Sequence, residues 1–404
     1  MTDDLGALWR EEWGRLLALL VAQYQRLDLA EDGLADAFEA AARTWARDGV
    51  PDNPAAWLLT AARRRIIDRL RAETTAARKR PVLAVETSLQ EEAQRVMADA
   101  GEEVRDERLR LVLLCAHPTL APESAAALTL RLVLGISTAD IARLFLVSTP
   151  TMAARLTRAR KRLAGQRFDV PSGSELADRI GLAADIAYLA FTAAYAPASG
   201  HEVHRPEMAD EAIRLARVIR EVAPPQTELD SLLALMLLQH SRRDARVDGD
   251  AALVLLADQD RSRWHRDEID EAISLLAPLT AAPPAPYLLQ ALIAAEHAIA
   301  ASSADTAWAR IARHYGELEE LTGSPVVRLN RAVAVAEAEG PQAGLGLLEG
   351  LDLPGHRLPG VRAELLLRAG RYDEARDAFD LALSRCDNEA ERRHLRSRRS
   401  SVPN

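Results

Sequence analysis

The sequence predicts an all-α protein in which two small helical domains, joined by a flexible linker, precede a larger domain of helical hairpins. Hydrophobic residues make up 48% of the 404 residues but aromatic residues only 4%, a composition typical of helical proteins. Apolar side chains recur at helical spacing along most of the chain, and short breaks rich in Pro, Gly, Asn and Ser separate these stretches. A chain of this length suggests two or three domains.

A helix-turn-helix motif is predicted over residues 137–163. Ser137 is a suitable N-cap for the first helix, and Asp140, three residues further on, can make the reciprocal capping contact across the first turn. Residues 146–148 are predicted to form the turn, and Thr149 to cap the second helix, which has a proline at its first position. The apolar stripe of the second helix consists of Met152, Leu156, Ala159 and Leu163.

The other face of this second helix is basic, and the chain from Ile141 to Phe168 contains no acidic residue. A capped, amphipathic helix with a basic free face suits the major groove of DNA. The alternative is an ordinary helical hairpin with a solvated face, but the charges on such a face are usually mixed in sign. The pattern therefore favours DNA binding. The face comprises Thr151, Arg155, Arg158, Arg160, Lys161 and Arg162.

A helix is predicted over residues 54–71, and one of its faces is basic except for Asp68. The helix follows a loop at residues 48–54 that is rich in the turn residues Asp, Gly, Pro and Asn. Residues 8–47, before the loop, are predicted to form helices, and their acidic residues near a helix start complement the helix dipole. The basic face consists of Arg63, Arg64, Arg65, Arg69 and Arg71.

The charge of the chain is divided unevenly along its length. Residues 1–170 hold 25 Lys and Arg against 24 Asp and Glu, a net charge of +1, and the whole chain holds 51 against 60. The remainder therefore carries 51 − 25 = 26 basic and 60 − 24 = 36 acidic residues, a net charge of −10. Phosphate binding is thus expected only in local clusters of the first part.

Composition and pattern predict four segments. Residues 1–75 and 106–168 are predicted to be helical domains, and residues 76–105, which are small, polar and mixed in charge, a flexible linker with a loose helix at 88–99. A larger helical domain is predicted over 175–404, with helical pairs from residue 175 to residue 385. The last predicted pair has Gly370 at its turn and Ala375, Phe379 and Ala382 at helical spacing, which is typical of a tetratricopeptide-type hairpin.

Several classes of function are not indicated. Cys115 and Cys386 have no companion ligand at metal-site spacing, and there is no glycine-rich phosphate loop, nucleophile elbow or pair of catalytic carboxylates. We therefore expect no enzyme, cofactor or metal. The polar segment 258–264 is predicted to be structural, with Asp–Arg pairs, and His201 and His204 to lie in a loop. No secretory signal or membrane-spanning run is predicted, which favours a cytoplasmic protein.

Together these motifs give the chain a resemblance to a bacterial sigma factor of the extracytoplasmic-function (ECF) type. The resemblance extends to the group with a long C-terminal tetratricopeptide-like (TPR-like) domain, and it covers nearly the whole chain. It is carried by the stretches DLAEDGLADAF, DGVPDNPAAWLLTAARRRIIDRLR, RLRLVLLCAHPTLAPESAAALTLRLVLGISTADIARLFLVSTPTMAARLTRARKRL, LLADQDRSRW and SPVVRLNRAVAVAEAEGP, in that order.

The resemblance implies two partners, core RNA polymerase and promoter DNA. The stretch AEDGLADAF is similar to the helix of sigma region 2 that binds the clamp of the polymerase, with Glu31, Asp32, Asp36 and Phe38 at matching positions. The loop 48–54 and the helix after it resemble the part of region 2 that opens the −10 element. The residues implied in that opening are Asp52, Asn53, Trp57, Arg63, Arg64, Arg65 and Arg69. Core packing is nevertheless the expected main role of Trp57, because apolar residues surround it in the sequence.

The helix-turn-helix resembles sigma region 4, which binds the −35 element. The resemblance places Ala153, Ala154 and Arg155 against bases, where Arg155 could read guanine and the alanines could contact thymine methyl groups. Phosphate contacts are expected from Arg158, Arg160 and Lys161, since such contacts position a protein without specifying sequence. Thr149 and Thr151 are the other residues implied in binding this element.

Two other functions stay open on the sequence. The chain could be a helix-turn-helix regulator with a TPR effector-sensing domain, or a helical scaffold without a DNA role. The first leaves the basic helix at 54–71 without a function, and the second leaves both basic faces without one. In the sigma-factor interpretation, the acidic C-terminal part either inhibits or supports activity, through a protein partner or an intramolecular contact.

Overall fold

A computed structural model describes residues 2–75, 102–145, 147–163, 170–195, 206–246, 254–386 and 389–403. Within these ranges the regular elements are all helical, as the sequence predicts. None of the described helices is long and apolar enough to cross a membrane. The chain divides into two compact units: residues 1–190 with 214–224, and residues 191–213 with 225–404. The predicted loose helix at 88–99, most of the predicted linker, and the loop with His201 and His204 lie outside the described residues.

The first unit is built mainly from seven helices among the described residues. They are α1 (Thr2–Tyr24), α2 (Leu27–Asp48), α3 (Pro54–Thr75), α4 (Glu102–Cys115), α5 (Pro122–Leu132), α6 (Thr138–Leu144) and α7 (Thr149–Leu163). Two more, α8 (Ser174–Tyr195) and α9 (Pro206–Val222), run through the division between the units. The helices lie close to their predicted bounds because strong apolar periodicity and Pro or Gly breaks delimit them.

Helices α1 to α3 pack around a cluster of aromatic rings. Trp13 is fully buried, and its ring stacks on that of Trp9 with 4.2 Å between the centroids. Phe38 of α2 lies against both tryptophans, 4.6 Å from Trp9 and 6.1 Å from Trp13. Large rings fixed in this way contribute substantially to the stability of a small domain, because they remove much apolar area from water.

The helix-turn-helix forms as predicted, with one correction at its turn. Ser137 Oγ accepts a hydrogen bond from the Asp140 backbone N–H at 3.1 Å, which caps α6. The cap of α7 is Ser148 and not the predicted Thr149, because Ser148 Oγ accepts from the Thr151 backbone N–H at 3.3 Å. The predicted apolar stripe is confirmed, and its buried members are Met152, Leu156, Ala159 and Leu163.

We expect Ser137→Ala to destabilise the first unit by about 1 kcal/mol, because an N-cap hydroxyl satisfies a backbone N–H that alanine leaves unpaired. Urea unfolding followed by circular dichroism measures the loss. Ser137→Asn is the matched control, since asparagine caps helices as well as serine does and should retain the stability. Equal stability of the wild type and the alanine variant would contradict this role for Ser137.

The second unit continues the helical pattern to the end of the chain. Its helices are α10 (Thr227–His240), α11 (Arg266–Leu276), α12 (Pro286–Ile299), α13 (Trp308–Thr322), α14 (Pro325–Glu339), α15 (Pro341–Leu347), α16 (Arg357–Arg368), α17 (Tyr372–Ser384) and α18 (Glu389–Ser400). From α12 onward each helix packs on its neighbour in the chain. The predicted hairpin contacts form, since Ala375, Phe379 and Ala382 are buried together in one cluster.

Candidate nucleic-acid interface

A cavity of about 360 Å³ opens at the start of α3, where the sequence predicts the −10 contacts. Its size is within the range of small-ligand pockets. The loop before α3 is fixed there by Asn53, whose Oδ1 accepts a hydrogen bond from the Ala56 backbone N–H at 3.0 Å. The lining residues are Pro51, Asp52, Asn53, Ala56, Trp57, Thr60, Ala61 and Arg64. The cavity therefore combines an aromatic ring, polar loop side chains and a cation.

Trp57 lies in the wall of this cavity and is only partly buried. Its ring contacts that of Trp45 edge-on, with 5.3 Å between the centroids. Trp57 therefore packs against Trp45 of α2, in line with the role expected from the sequence, and also lines the cavity.

The predicted basic face of α3 divides into three environments. Arg64 and Arg65 are exposed, whereas Arg63 is only 4% exposed. Arg69 lies between two carboxylates of α2, with 2.9 Å from its guanidinium to both Asp32 and Asp36. Arg64 and Arg65 are therefore the cations of this predicted set that are presented to solvent, and Arg64 also lines the cavity.

Helix α7 presents most of its predicted DNA-binding residues to solvent. The exposed ones are Thr149, Thr151, Ala153, Ala154, Arg158 and Lys161. Arg155 is held more closely: its Nη1 is 3.1 Å from Glu123 Oε2, and its guanidinium lies 5.9 Å from the centre of the Phe145 ring. In this arrangement Arg155 belongs to the surface of α7 but already has an acidic partner.

Glu31, a predicted polymerase contact, is the centre of a buried ion-pair cluster with Arg131 and Arg160. Its Oε1 accepts from Arg131 Nε at 2.7 Å and its Oε2 from Arg160 Nη2 at 2.6 Å. Glu31 is 6% exposed. The cluster joins α2 to α5 and α7, so that a predicted polymerase contact and a predicted DNA contact bind each other.

The four predicted polymerase contacts therefore differ in accessibility. Asp32 is exposed and Asp36 partly exposed, and both pair with Arg69. Glu31 is buried in its cluster, and Phe38 is buried among the tryptophans of α1. Of the four predicted polymerase contacts, only Asp32 and Asp36 are therefore accessible on the surface of α2 in this structure.

A polar network around the buried His240 of the second unit was not predicted from the sequence. His240 is fully buried; its Nδ1 is hydrogen-bonded to the Tyr195 hydroxyl, and its Nε2 is 3.0 Å from Asp210 Oδ1. The hydrogen bond from His240 lowers the pKa of Asp210, whereas burial raises the pKa of Tyr195. Arg246 lies 4.3 Å from the centre of the Tyr195 ring. No sequence motif indicates this network, because its members are far apart in the sequence.

In the polar segment 258–264, the predicted Asp–Arg pairing is wrong for Asp260 and Arg261, which bind other partners. Asp260 Oδ1 accepts from the backbone N–H of Ser262 at 2.9 Å and caps a short turn. Arg261 instead donates to the backbone carbonyls of His297 and Ala300, and its guanidinium lies 4.6 Å from the centre of the ring of buried Trp264. Carbonyls at a helix end lack partners of their own, which makes them good acceptors for an arginine.

Among the described residues, one group could hold a metal ion: His356, Cys386 and Glu391, whose ligand atoms all lie within 4.8 Å of one another. This group was not predicted from the sequence, because the fold brings His356, the residue before α16, to the other two over 30 positions along the chain. His356 Nε2 is 2.8 Å from Glu391 Oε2, and Cys386 Sγ is 4.0 Å from the same oxygen. Hydrogen bonding to the shared carboxylate accounts for this group without an ion.

Three stretches of the chain match known protein families. Sigma-70 region 2 matches residues 8–75, which contain α1 to α3 and the cavity. Sigma-70 region 4 matches residues 110–163, which contain the helix-turn-helix. The chain belongs to the sigma-70 family. A family of unknown function (DUF6596) matches residues 179–279. Region 2 and region 4 followed by a further domain is the layout of an ECF-like sigma factor with an additional C-terminal domain.

This sigma-70 family member has a relative of similar length. A protein of Rhizobium meliloti (strain 1021), described as uncharacterized, is 40% identical over 389 residues, which are 94% of this chain and 91% of the relative. No solved structure matches the chain significantly. The additional domain is helical, and the polar network around His240 lies within residues 179–279, which match the family of unknown function.

Proposed function

We propose that this sigma-70 family protein binds core RNA polymerase and directs initiation at specific promoters as an ECF sigma factor. The observation that carries the proposal is the cavity of region 2, in which Trp57 and two polar loop residues stand beside exposed arginines. Opening a promoter requires a place for an unpaired base, a surface that replaces its lost stacking, and cations along the strand. The cavity and its surroundings offer all three.

At the −10 element, an unpaired base enters the cavity and stacks on the accessible side of Trp57. Asp52 and Asn53 offer hydrogen bonds to its edge, and Arg64 and Arg65 neutralise neighbouring phosphates. Arg63 is buried and Arg69 is paired with Asp32 and Asp36, so these two arginines contribute less to phosphate binding than Arg64 and Arg65 do.

At the −35 element, α7 lies in the major groove. Ala153 and Ala154 are exposed and can contact thymine methyl groups, and Arg155 reads guanine after exchanging Glu123 for the base. Arg158 and Lys161 bind phosphates, together with the hydroxyls of the first turn. Arg160 joins them only when it leaves Glu31.

Arg158→Ala tests the phosphate contact. We expect weaker binding of polymerase holoenzyme to promoter DNA, uniformly across sequences, and a slope of log affinity against log salt that is smaller by about one. Filter binding or anisotropy at several salt concentrations measures both. Arg371→Ala, which removes the same charge from the C-terminal domain, should leave the slope unchanged. A sequence-dependent loss with an unchanged slope would contradict phosphate binding by Arg158.

The C-terminal domain is proposed to be a TPR-like array that regulates or supports initiation. Neighbouring helices pack on each other from α12 to α18, and the last hairpin has the small and aromatic residues typical of such repeats. Its acidic charge makes a DNA contact unfavourable and a protein or intramolecular contact the better role. A factor of this kind acts in the cytoplasm, where polymerase and chromosome are found.

The direct test is binding to purified core polymerase. We expect a stable complex on size-exclusion chromatography, and footprints over both promoter elements with holoenzyme but not with the protein alone. A conventional helix-turn-helix regulator would instead bind duplex DNA without polymerase. Absence of core binding, combined with tight binding of the protein alone to duplex DNA, would replace the proposal by that alternative.

A further inference from the structure

We propose that the C-terminal domain binds a phosphate group, free or as a small ester, through the guanidinium groups of Arg242 and Arg246. Both arginines are partly buried and lie on the short segment that follows α10. This segment belongs to the second compact unit and to the stretch that matches the family of unknown function. The inference goes beyond the proposed function and does not depend on it, because it concerns a ligand of the additional domain.

The arginines of this segment differ in their partners. Arg243 is neutralised, since its Nη1 donates to both carboxylate oxygens of Glu268, at 2.8 and 2.9 Å, and to the His240 carbonyl at 3.1 Å. Arg242 and Arg246 have no carboxylate partner among the described residues. A buried charge normally has a partner, because its removal from water is otherwise unfavourable. Two of the three arginines therefore lack a counter-charge in the described part of the second unit.

Arg246 is held by groups that carry no charge. Its guanidinium lies 4.3 Å from the centre of the Tyr195 ring, and its Nη2 donates to the Gln239 carbonyl at 3.3 Å. The Tyr195 ring is itself fixed by a hydrogen bond between its hydroxyl and His240 Nδ1. Arg246 Nε is buried and has no hydrogen-bond partner among the residues that the structure describes. These contacts orient the guanidinium, as a preorganised binding site requires, without neutralising it.

The surroundings of Arg242 are strongly positive. Burial and the positive charge of Arg246 lower the pKa of Arg242 to about 9. Burial, together with the charges of Arg242 and Arg261, lowers the pKa of the neighbouring His297 to about 4. Like charges in a partly buried place repel one another, and an anion bound there removes that repulsion. Strong shifts of this kind are concentrated at functional sites.

The carboxylates beside this segment are already engaged elsewhere. Asp210 is 3.0 Å from His240 Nε2, and Asp244 of the same segment is 2.8 Å from His265 Nε2. The counter-charge for the two arginines is therefore expected from a ligand. Two guanidinium groups balance the charge of about −1.5 to −2 that a phosphate ester carries at neutral pH, whereas a single carboxylate balances only one of them. Guanidinium groups also match the geometry of phosphate oxygens.

Two substitutions in the full-length protein test the site. Arg242→Gln and Arg246→Gln each remove one positive charge and keep a polar side chain. Arg313→Gln is the matched control, because Arg313 is an exposed arginine of α13 in the same compact unit. In phosphate-free buffer, Arg242→Gln should raise the temperature of thermal unfolding of the C-terminal domain by about 2–4 °C, since it removes a buried charge that lacks a partner. A lower temperature would identify a structural arginine and overturn the inference.

Phosphate binding to the same proteins is measured by phosphorus nuclear magnetic resonance at constant ionic strength, with acetate as a competitor. We expect saturable binding to the wild type and to Arg313→Gln, and binding at least about tenfold weaker in Arg242→Gln and Arg246→Gln. Glycerol phosphate is the second probe, and the probe that binds more tightly identifies an ester or free phosphate as the ligand. Equal binding by the wild type and both variants, no binding of either probe to the wild type, or equal competition by acetate would overturn the inference.

Discussion

Replacing Trp57 by alanine is expected to reduce promoter opening by about 5- to 150-fold, because base–aromatic stacking contributes about 1–3 kcal/mol per base. The tryptophan lines the region 2 cavity and is held on one side by Trp45. An unpaired base of the −10 element would lose that stacking surface in the variant. Reactivity of unpaired thymines to permanganate, measured on holoenzyme–promoter complexes, reports the loss.

The matched control for this change is Trp57→Phe, which keeps an aromatic face in the cavity and should retain most of the opening. Binding to core polymerase should be unaffected in both variants, since Trp57 lies in the cavity and not among the acidic residues of α2. Normal opening by the alanine variant would show that Trp57 serves packing alone, the role that sequence reasoning favours.

Trp13→Ala is expected to cost the first unit about 3–5 kcal/mol of stability, the usual range for removing a buried large aromatic side chain. The Trp13 side chain is fully buried, stacks on Trp9 and contacts Phe38, so the substitution leaves a cavity that neighbouring helices cannot close. The free energy of unfolding in urea measures the effect.

Two controls accompany the Trp13 measurement. Trp13→Phe keeps part of the ring contact and should lose less stability. Val50→Ala removes methyl groups from a side chain that is 53% exposed and should change the free energy by less than about 0.5 kcal/mol. Equal stability of Trp13→Ala and Val50→Ala would contradict the position of Trp13 in the core.

Elements with strong local signals could be predicted from the sequence. The stripe of α7 and the Ser137 cap are confirmed because both depend on residues within a few positions of each other. The cap of α7 is displaced by one residue, since adjacent Ser148 and Thr149 are both good caps and only tertiary packing selects between them. Helix α18 was not predicted because its sequence, EAERRHLRSRRS, has a single large apolar side chain.

Contacts between distant segments could not be predicted. The acidic character of Glu31 was visible, but its partners Arg131 and Arg160 come from other helices, and periodicity gives no register between helices. For the same reason, neither the burial of Arg63 on a basic helix face nor the network around His240 could be predicted. The accessibility of each residue on the predicted surfaces depends on such contacts, and the fold is needed to define it.

The central claim, that this protein is a promoter-specifying sigma factor, is tested most directly by transcription with purified components. Core polymerase of the source bacterium is combined with the protein and fragmented genomic DNA, and the 5′ ends of the transcripts are sequenced. We expect starts that depend on the protein and share two upstream elements at fixed spacing. We also expect Trp57→Ala to lower the yield at these starts. Transcription that is identical with and without the wild-type protein would contradict it.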